Sequence, residues 1–526
     1  MIELTRSVIG QAIRMDVLPD DILLEIFYFY TNEYSIVLGR KGNEETWQSL
    51  VHVCRRWRNL VFRSPRRLRL RLYCTPETPA KDILDVWPAL PLIIDNFSMA
   101  LKPVTDNVIA ALGQKHRICK VNLFYLAGWQ LEKVLALMQV PFPELTDLRL
   151  SSYDKPIVIP DSFLGGSATR LQSLELFGIP FPGLPNLILS ATHLVYLDLT
   201  DIPHAGYISP EAIVALLSVL SSLRTLILGF RSPQSRPDRE SASLLPQKHA
   251  LLPALDILHF EGVTEYLEEL VTRIDTPRLF EMDITFFNQI DFDCPRLAQF
   301  INRTPTSRAL DEAHVQFRDS TANVALPFRT SKVNFGGFRI NISCGEPDWQ
   351  LSSIEQLCSS SLLPLSTVEV LYIESHSSEL VWKNDATEST LWLAVLLPFT
   401  AVKKLYLSKE FVSVIDAPAL QELVRARITE VLPSLQNIFV ESVDPSGYLP
   451  FLENIGQFVA ARQLSDPSFT VSVWAKDVDH NSVKDFDENT SLFNLFKSAN
   501  SSENTNLFES ENIGLFENPN VFAHTL

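Results

Sequence analysis

Apolar residues return along most of the chain in one short arrangement, with leucine at the first, fourth and sixth positions. Its four regular copies are LTDLRL, LQSLEL, LVYLDL and LRTLIL, which begin at Leu145, Leu171, Leu194 and Leu223. Looser copies begin at Ile118, Leu255, Leu279, Val368, Val402 and Leu435. Apolar residues two apart are typical of a strand with one buried face, so each copy predicts a short strand.

The spacing of these copies predicts a repeat architecture. Starts from Leu145 to Leu279 lie 26, 23, 29, 32 and 24 residues apart. This resembles leucine-rich repeats, in which each unit is a strand plus a return segment and units stack to cover their leucines. The resemblance implies an α/β solenoid over residues 67–476, with a curved parallel sheet and helical or loop returns. Residues 305–360 fit poorly, and we expect diverged repeats there. An ordinary mixed α/β domain is the alternative.

Two segments ahead of the repeats have helical periodicity. Residues 16–30 read DVLPDDILLEIFYFY, in which Pro19 fits a first helical turn and apolar residues follow at three- and four-residue steps. Residues 47–62, WQSLVHVCRRWRNLVF, predict a second helix, and the polar stretch 31–46 predicts a loop. Two such helices cannot bury both wide apolar faces against each other, which indicates a docking module. The alternative is a helical cap that the repeats cover.

The two segments also carry a family resemblance. The run L-P-x-x-I-L-x-E-I-F from Leu18, followed by V-C-R-x-W-R-x-L from Val53, resembles the F-box. The resemblance implies that residues 1–66 bind the Skp adaptor of SCF-type ubiquitin ligases and, through it, a cullin. The interface that it implies consists of the matched apolar residues Leu18, Pro19, Ile22, Leu23, Ile26, Phe27, Val53, Cys54, Trp57 and Leu60.

A short basic segment follows the second helix. Residues 67–73 read RLRLRLY, which alternates with period two. A strand with one apolar face and one solvated arginine face is therefore predicted, in preference to a nucleic-acid contact.

Within each predicted repeat strand, the residues between the leucines should face the concave side of the sheet. Acidic residues outnumber basic ones there, so we expect a basic or aromatic-rich target protein. A generic solvated face is an equally good alternative. The residues predicted to contact the target are Glu175, Tyr196, Asp198, Asp283, Tyr372 and Tyr406.

Composition narrows the class of protein. The 526 residues are 46% hydrophobic and carry a formal net charge of -17, which argues against non-specific binding to nucleic acid. The longest apolar run, residues 391–399, is far below the roughly 20 residues that cross a bilayer, so no membrane partner is expected. Six scattered cysteines and no signal-like start predict reduced thiols in the cytoplasm or nucleus.

Motifs for catalysis, a cofactor or a metal do not occur in the sequence, so we predict a non-enzymatic protein without cofactors. The favoured interpretation is the substrate-recognition subunit of an SCF-type ligase, and the alternative is a non-ligase repeat scaffold.

After Trp474 the pattern stops, and the acidic, Asn- and Ser-rich residues 477–526 predict a disordered tail.

Overall fold

A computed structural model describes residues 18–37, 46–96, 106–154, 156–231, 249–289, 292–304, 310–329, 335–375, 386–408, 430–441, 462–463, 468–476 and 483–485. The chain forms two compact units. The first comprises Met1–Phe287 and Cys294–Ser307, and the second comprises Asn288–Asp293 and Arg308–Leu526.

The helices are short, apart from the first and the eleventh. Their bounds are α1 Asp20–Val37, α2 Thr46–Val53, α3 Arg55–Arg63, α4 Ala80–Val86, α5 Asp106–Leu112, α6 Gly128–Leu137, α7 Leu184–Ile188, α8 Pro210–Leu217, α9 Thr264–Val271, α10 Pro295–Arg303, α11 Pro347–Ser359 and α12 Ala386–Leu396. Over the described ranges, no helix combines the length and the apolar composition that crossing a bilayer requires.

The strands follow the repeat pattern along the chain. Their bounds are β1 Leu72–Cys74, β2 Leu92–Asp95, β3 Ile118–Leu126, β4 Asp147–Ser152, β5 Ser173–Phe177, β6 Tyr196–Ile202, β7 Thr225–Phe230, β8 Ala250–Leu251, β9 Ile257–Gly262, β10 Ile274–Asp275, β11 Glu281–Phe287, β12 Glu312–Phe317, β13 Thr321–Arg329, β14 Phe335–Ser343, β15 Val370–Ser375, β16 Lys404–Leu407, β17 Asn437–Glu441, β18 Thr470–Lys476 and β19 Val483–Asp485.

The N-terminal helices differ from the prediction in two places. Helix α1 continues to Val37, into the stretch predicted as a loop, because no glycine or proline interrupts the chain before Gly39. The predicted second helix is broken at Cys54, which has extended backbone angles and caps α3 by accepting a hydrogen bond from the backbone N–H of Trp57 on its Sγ. Cys54 is also exposed, whereas the other five free cysteines are buried.

In the first unit, the main sheet is parallel, in the order β1, β2, β3, β4, β5, β6, β7, β9 and β11. Its register aligns the repeat leucines across neighbouring strands. One buried row is Leu148, Leu174, Leu197, Leu226 and Leu258, and the next is Leu150, Leu176, Leu199, Leu228 and Phe260. Such rows bury leucines that a single repeat would leave exposed.

The segment RLRLRLY is mostly not a strand. Only Leu72–Cys74 pairs in the sheet, and Arg69 has a left-handed φ of 51° within a turn. The alternation is still real, because Leu68, Leu70 and Leu72 are buried while Arg67 and Arg69 are exposed. The prediction was therefore right about which residues are buried and wrong about the backbone between 67 and 71.

The return segments are helices and tight turns. Helix α8 is one such return: the Ser209 hydroxyl caps it by accepting from the backbone N–H of Ala212, and it ends at Leu217. Helix α9 contributes Leu267 and Leu270 to the core, and Tyr266 donates a 2.8 Å hydrogen bond to the Ile208 carbonyl. These contacts cover the leucine rows from one side.

In the second unit, the sheet is mixed. Strands β12, β15, β16, β17 and β18 are parallel neighbours, whereas β13 and β14 form an antiparallel hairpin beside β12. This hairpin occupies the stretch 305–360 where the repeat pattern weakened, so the chain departs there from the strand-and-return unit.

The α/β leucine-rich repeat class is confirmed, since every copy of the motif named above contributes a strand. The predicted boundary at residue 66 stays a prediction, and α1–α3 belong to the same compact unit as β1–β11. The predicted disordered tail lies outside the described residues except Val483–Asp485, which pair antiparallel with β18.

One turn glycine yields a stability test. Gly178 has φ +70°, and a Cβ there would lie 2.3 Å from the Ser152 carbonyl oxygen, whereas Gly166 has φ +73° with no atom closer than 3.9 Å. Gly166→Ala should cost roughly 1–2 kcal/mol for the left-handed backbone alone. Gly178→Ala should cost roughly 1–3 kcal/mol more from overpacking. Thermal unfolding of both variants measures the difference, and equal losses would contradict the expected clash.

Candidate functional site

Helix α1 is apolar on two sides, and only one of them is covered. Its outer stripe, which we define as Ile22, Ile26, Phe29 and Tyr30, is 38–57% exposed. At the end of α2, Val53 is 59% exposed, and the adjacent Cys54 is also exposed. The N-terminal helices therefore present several large apolar side chains to solvent, which marks a candidate interaction surface.

Some residues predicted to bind the adaptor lie inside the chain instead. Leu23 and Phe27 are fully buried and Leu60 is 9% exposed, so these three form the core of the module and not its surface. The reason is helical phase, because Leu23 and Phe27 face α2 and α3 while Ile22 and Ile26 face outward. Pro19 is exposed and Leu18 is half-buried. Trp57 is half-buried, with its ring centroid 4.7 Å from that of Phe27.

Polar contacts hold the module in this arrangement. The Arg56 guanidinium donates to Asp20 at the start of α1, at 2.6 and 3.1 Å, and to the Leu18 carbonyl at 2.5 Å. The indole N–H of Trp47 donates to the Arg71 carbonyl at 3.0 Å. Sequence reasoning missed Arg56, because its partners lie 36 and 38 residues away.

A second candidate surface is the polar face of the first unit's sheet, formed by residues that alternate with the leucines. Arg149, Glu175 and Asp198 are register neighbours on β4, β5 and β6. Arg149 pairs with Glu175, and on the same face Lys120 lies 3.8 Å from Asp147 and His259 lies 3.0 Å from Glu281. Asp147 and Glu175 therefore each lie beside a basic side chain, whereas Glu281 has a cation beside it only when His259 is protonated.

Asp198 differs from its neighbours on this face. It accepts hydrogen bonds from Thr200 and, at 3.4 Å, from Tyr196, and among the described residues no cation forms an ion pair with it. Burial, reinforced by the charge of Glu175, raises the pKa of Asp198, although the two hydroxyl donors lower it in part. Burial and the charges of Asp198 and Glu175 likewise raise the pKa of Tyr196 to about 12. Asp283 shares the row, three strands further on.

A cleft of about 270 Å³ opens beside Asp198. It lies between aromatic rings from β3 and β5, with Phe177 44% and Tyr125 50% exposed. Its walls are formed by Phe124, Tyr125, Arg149, Leu150, Ser151, Glu175, Leu176, Phe177, Asp198 and Thr200. Sequence reasoning predicted Glu175 and Asp198 here and missed the aromatic residues, which lie at the strand ends beyond the repeat motif.

In the second unit, four side chains on adjacent strands form a row of stacked rings. His314, Tyr372, Tyr406 and Phe439 are register neighbours, with successive centroids 4.4, 4.5 and 4.5 Å apart. Tyr372 and Tyr406, predicted to contact a target, are only 8% and 5% exposed because a neighbouring ring covers each of their faces. Both rings pack within this aromatic row, and their contact with a target stays a prediction.

His314 ends the aromatic row between two carboxylates. Its Nε2 lies 2.7 Å from Glu312, and its Nδ1 lies 3.8 Å from Glu374, which also accepts from Gln316 at 2.6 Å. Burial opposes the charged ring, but the bonds and charges of Glu312 and Glu374 outweigh it and raise the pKa of His314. In the ranges that the structure describes, no group of three His, Cys, Asp or Glu side chains is placed to hold a metal ion.

The chain was compared with family models, curated proteins and solved structures. No family model matches the chain, and no curated protein matches it. Among solved structures, the leucine-rich repeat-containing protein LegL7 from Legionella pneumophila is 12% identical, with a TM-score of 0.25, over 74% of this chain and 97% of that one. The complex of Rad7 and Elc1 in yeast gives 14% identity and a TM-score of 0.23 over 84% and 93%. At these TM-scores neither similarity carries an argument about function.

Asp198 should reduce stability at neutral pH, since its raised pKa means that the ionised form is disfavoured in the folded state. Asp198→Asn should therefore raise the thermal unfolding midpoint near pH 7.5. The gain should shrink toward about pH 4, as the carboxyl becomes protonated in both folded and unfolded chains. Asp147→Asn, beside Lys120, is the control and should give no such gain. A lower midpoint for Asp198→Asn at neutral pH would contradict this reasoning.

His314 should make the second unit more stable at mildly acidic pH. A raised pKa means that the protonated ring is favoured on folding, and this contribution is present below about pH 6.5 and is lost as the pH rises through the folded-state value. Unfolding midpoints of the wild type and of His314→Gln should differ more near pH 5.5 than near pH 8.5. His193→Gln, at an exposed turn position, is the control. A pH-independent difference would rule out the assigned sign.

Proposed function

We propose that this protein is a non-catalytic substrate receptor of an SCF-type ubiquitin ligase. The N-terminal helices bind a Skp-type adaptor, which connects the chain to a cullin, and the repeats bind a target protein. Ubiquitin transfer is then promoted by holding the target close to the ligase, with no chemistry in this chain.

The observation that carries the proposal is the partly exposed outer stripe of α1, above all Ile22, Ile26 and Phe29. Ile22 and Ile26 belong to the F-box-like run and are 44% and 38% exposed, while Leu23 and Phe27 of the same run anchor the helix from within. A helix of a globular protein normally turns its apolar stripe toward the core and polar residues toward solvent, so a second, exposed apolar stripe has room for a partner. Each large side chain that becomes fully buried contributes roughly 1.5–3 kcal/mol, before the costs of association are subtracted.

The basic and acidic residues of the module support the same arrangement. The Arg56–Asp20 pair and the contact of Arg67 with Glu25, at 2.5 Å, hold α1 against the segment that begins with α3. A preformed stripe binds with less loss of conformational freedom than one that has to be ordered by its partner.

The alternative function is a repeat scaffold whose N-terminal helices serve only as a cap. Trp47 favours it, because its ring packs 5.2 Å from Trp87 and 6.2 Å from Phe62, and it is 4% exposed. This contact explains how α2 attaches to the segment before β2. It does not cover Ile26 or Phe29, so the receptor remains the function that we propose.

The test is co-purification of the full chain with a Skp-type adaptor. Ile26→Asp places a charge in the outer stripe and should weaken binding more than tenfold, as loss of an interface hot spot does. Leu189→Asp is the matched control, since Leu189 is an exposed aliphatic residue next to α7 in the repeats, and it should bind as the wild type does. Both variants should keep the wild-type unfolding midpoint.

Two results would count against the proposal as argued. Undiminished adaptor binding by folded Ile26→Asp would remove the outer stripe from the interface, and with it the observation that carries the proposal. No binding by the wild-type chain would favour the capped scaffold. Leu23→Asp is unsuitable for the test, because a charge at a fully buried position would unfold the module.

A further inference from the structure

The cleft beside Asp198 is suited in size to a single side chain. Its volume of about 270 Å³ lies below the roughly 300–1,000 Å³ of pockets that enclose a whole small molecule. It is built on four adjacent parallel strands, β3 to β6, whose leucine rows fix the backbone beneath it. A rigid opening of this size on a repeat face suits one anchoring residue of a protein partner.

The charges inside the cleft favour a cation. Glu175 and Asp198 are direct register partners on β5 and β6, and Arg149 forms its ion pair with Glu175. Asp198 accepts hydrogen bonds from the neutral hydroxyls of Thr200 and Tyr196, and within the described part of the chain no cation forms an ion pair with it, although the charge of Arg149 acts on it from further away. Arg149 offsets one of the two carboxylates, so a cation placed between them would offset the other, whereas an anion would face the remaining negative charge.

The rings around the cleft favour a planar cation. Phe177 and Tyr125 are 44% and 50% exposed at the ends of β5 and β3, with room for contact on their free sides. The neighbouring ring of Phe124 already has the Arg149 guanidinium 5.3 Å from its centroid. Guanidinium groups stack on aromatic rings and bind carboxylates through paired N–H donors, and a lysine ammonium lacks this planar geometry.

We infer that this cleft binds an arginine side chain of the target protein, with the guanidinium between Asp198 and Glu175 and against the ring of Phe177. The inference rests on the proposed function, in that it takes the occupant to be a segment of a target. It names the recognition element of the repeats, a single arginine, in place of a general preference for basic partners.

The experiment uses a peptide array probed with the fluorescently labelled full chain. The peptides share one neutral Gly-Ser-Tyr framework and differ at one central position, which is arginine, lysine, citrulline or glutamate. Citrulline keeps the shape of arginine without its charge. We expect arginine peptides to retain about tenfold more chain than citrulline peptides, with lysine between them, since close charge pairs dominate such contacts. Equal signals for arginine and citrulline would overturn the inference.

Three variants locate the effect. Asp198→Asn should reduce the ratio of arginine to citrulline signal to near one. Phe177→Ala, at an exposed position, should reduce it several-fold. Asp283→Asn is the matched control, because Asp283 carries the same charge in the same row but lies three strands away, on β11. An equal loss for Asp283→Asn and Asp198→Asn would mean that general electrostatic attraction, and not this cleft, selects arginine.

Adaptor binding is measured on the same preparations, which separates the two proposals. Retained adaptor binding without arginine selection would overturn only the cleft. Arginine selection without adaptor binding would support the cleft and count against the ligase role. The unfolding midpoint of each variant confirms that a lost signal is not caused by lost structure.

Discussion

The leucine rows are the constraint on which the rest of this structure depends. A repeat with a strand of four to nine residues and three buried apolar positions in its motif cannot cover those side chains alone, so it is stable only against its neighbours. In the first unit, the buried residues Leu148, Leu174, Leu197, Leu226 and Leu258 occupy one register position on five successive strands. Because the rows fix the register, they also decide which polar residues become neighbours on the opposite face.

The register that the leucine rows impose explains which charged side chains pair on the polar face. Arg149 meets Glu175, and Asp147 meets Lys120, only because their strands align one residue to one residue. Asp198 follows Glu175 in the same row, and its neighbour on the far side is Ile227, so the alternation of charge ends there. The position of Asp198, beside Glu175 and without an ion pair among the described residues, is thus a result of register, and it coincides with the cleft.

The sequence was a good guide wherever burial follows from a local period. Every leucine copy became a strand, and the burial of Leu68, Leu70 and Leu72 was read correctly. It was a poor guide where the apolar period carries no information. The turn at Arg69 and the helix break at Cys54 are formed by local hydrogen bonds that this period does not encode. The stacking of Tyr372 and Tyr406 depends on a contact between residues far apart in the chain. Moving along the sequence by one repeat from Tyr372 leads to Tyr406. The repeat spacing was therefore the signal in the sequence that could have predicted their stacking.

The F-box-like run shows why a motif alone cannot identify an interface. Its residues point to two different sides of one helix. Leu23 and Phe27 are buried and pack α1 against the chain, whereas Ile22 and Ile26 are exposed. A sequence that needed only a stable helical cap would retain the first pair and could place polar residues at the second. The chain instead keeps isoleucine at both open positions and adds Phe29 one turn further on. Exposed apolar residues weaken solubility without improving the fold, so their presence favours a partner over a cap.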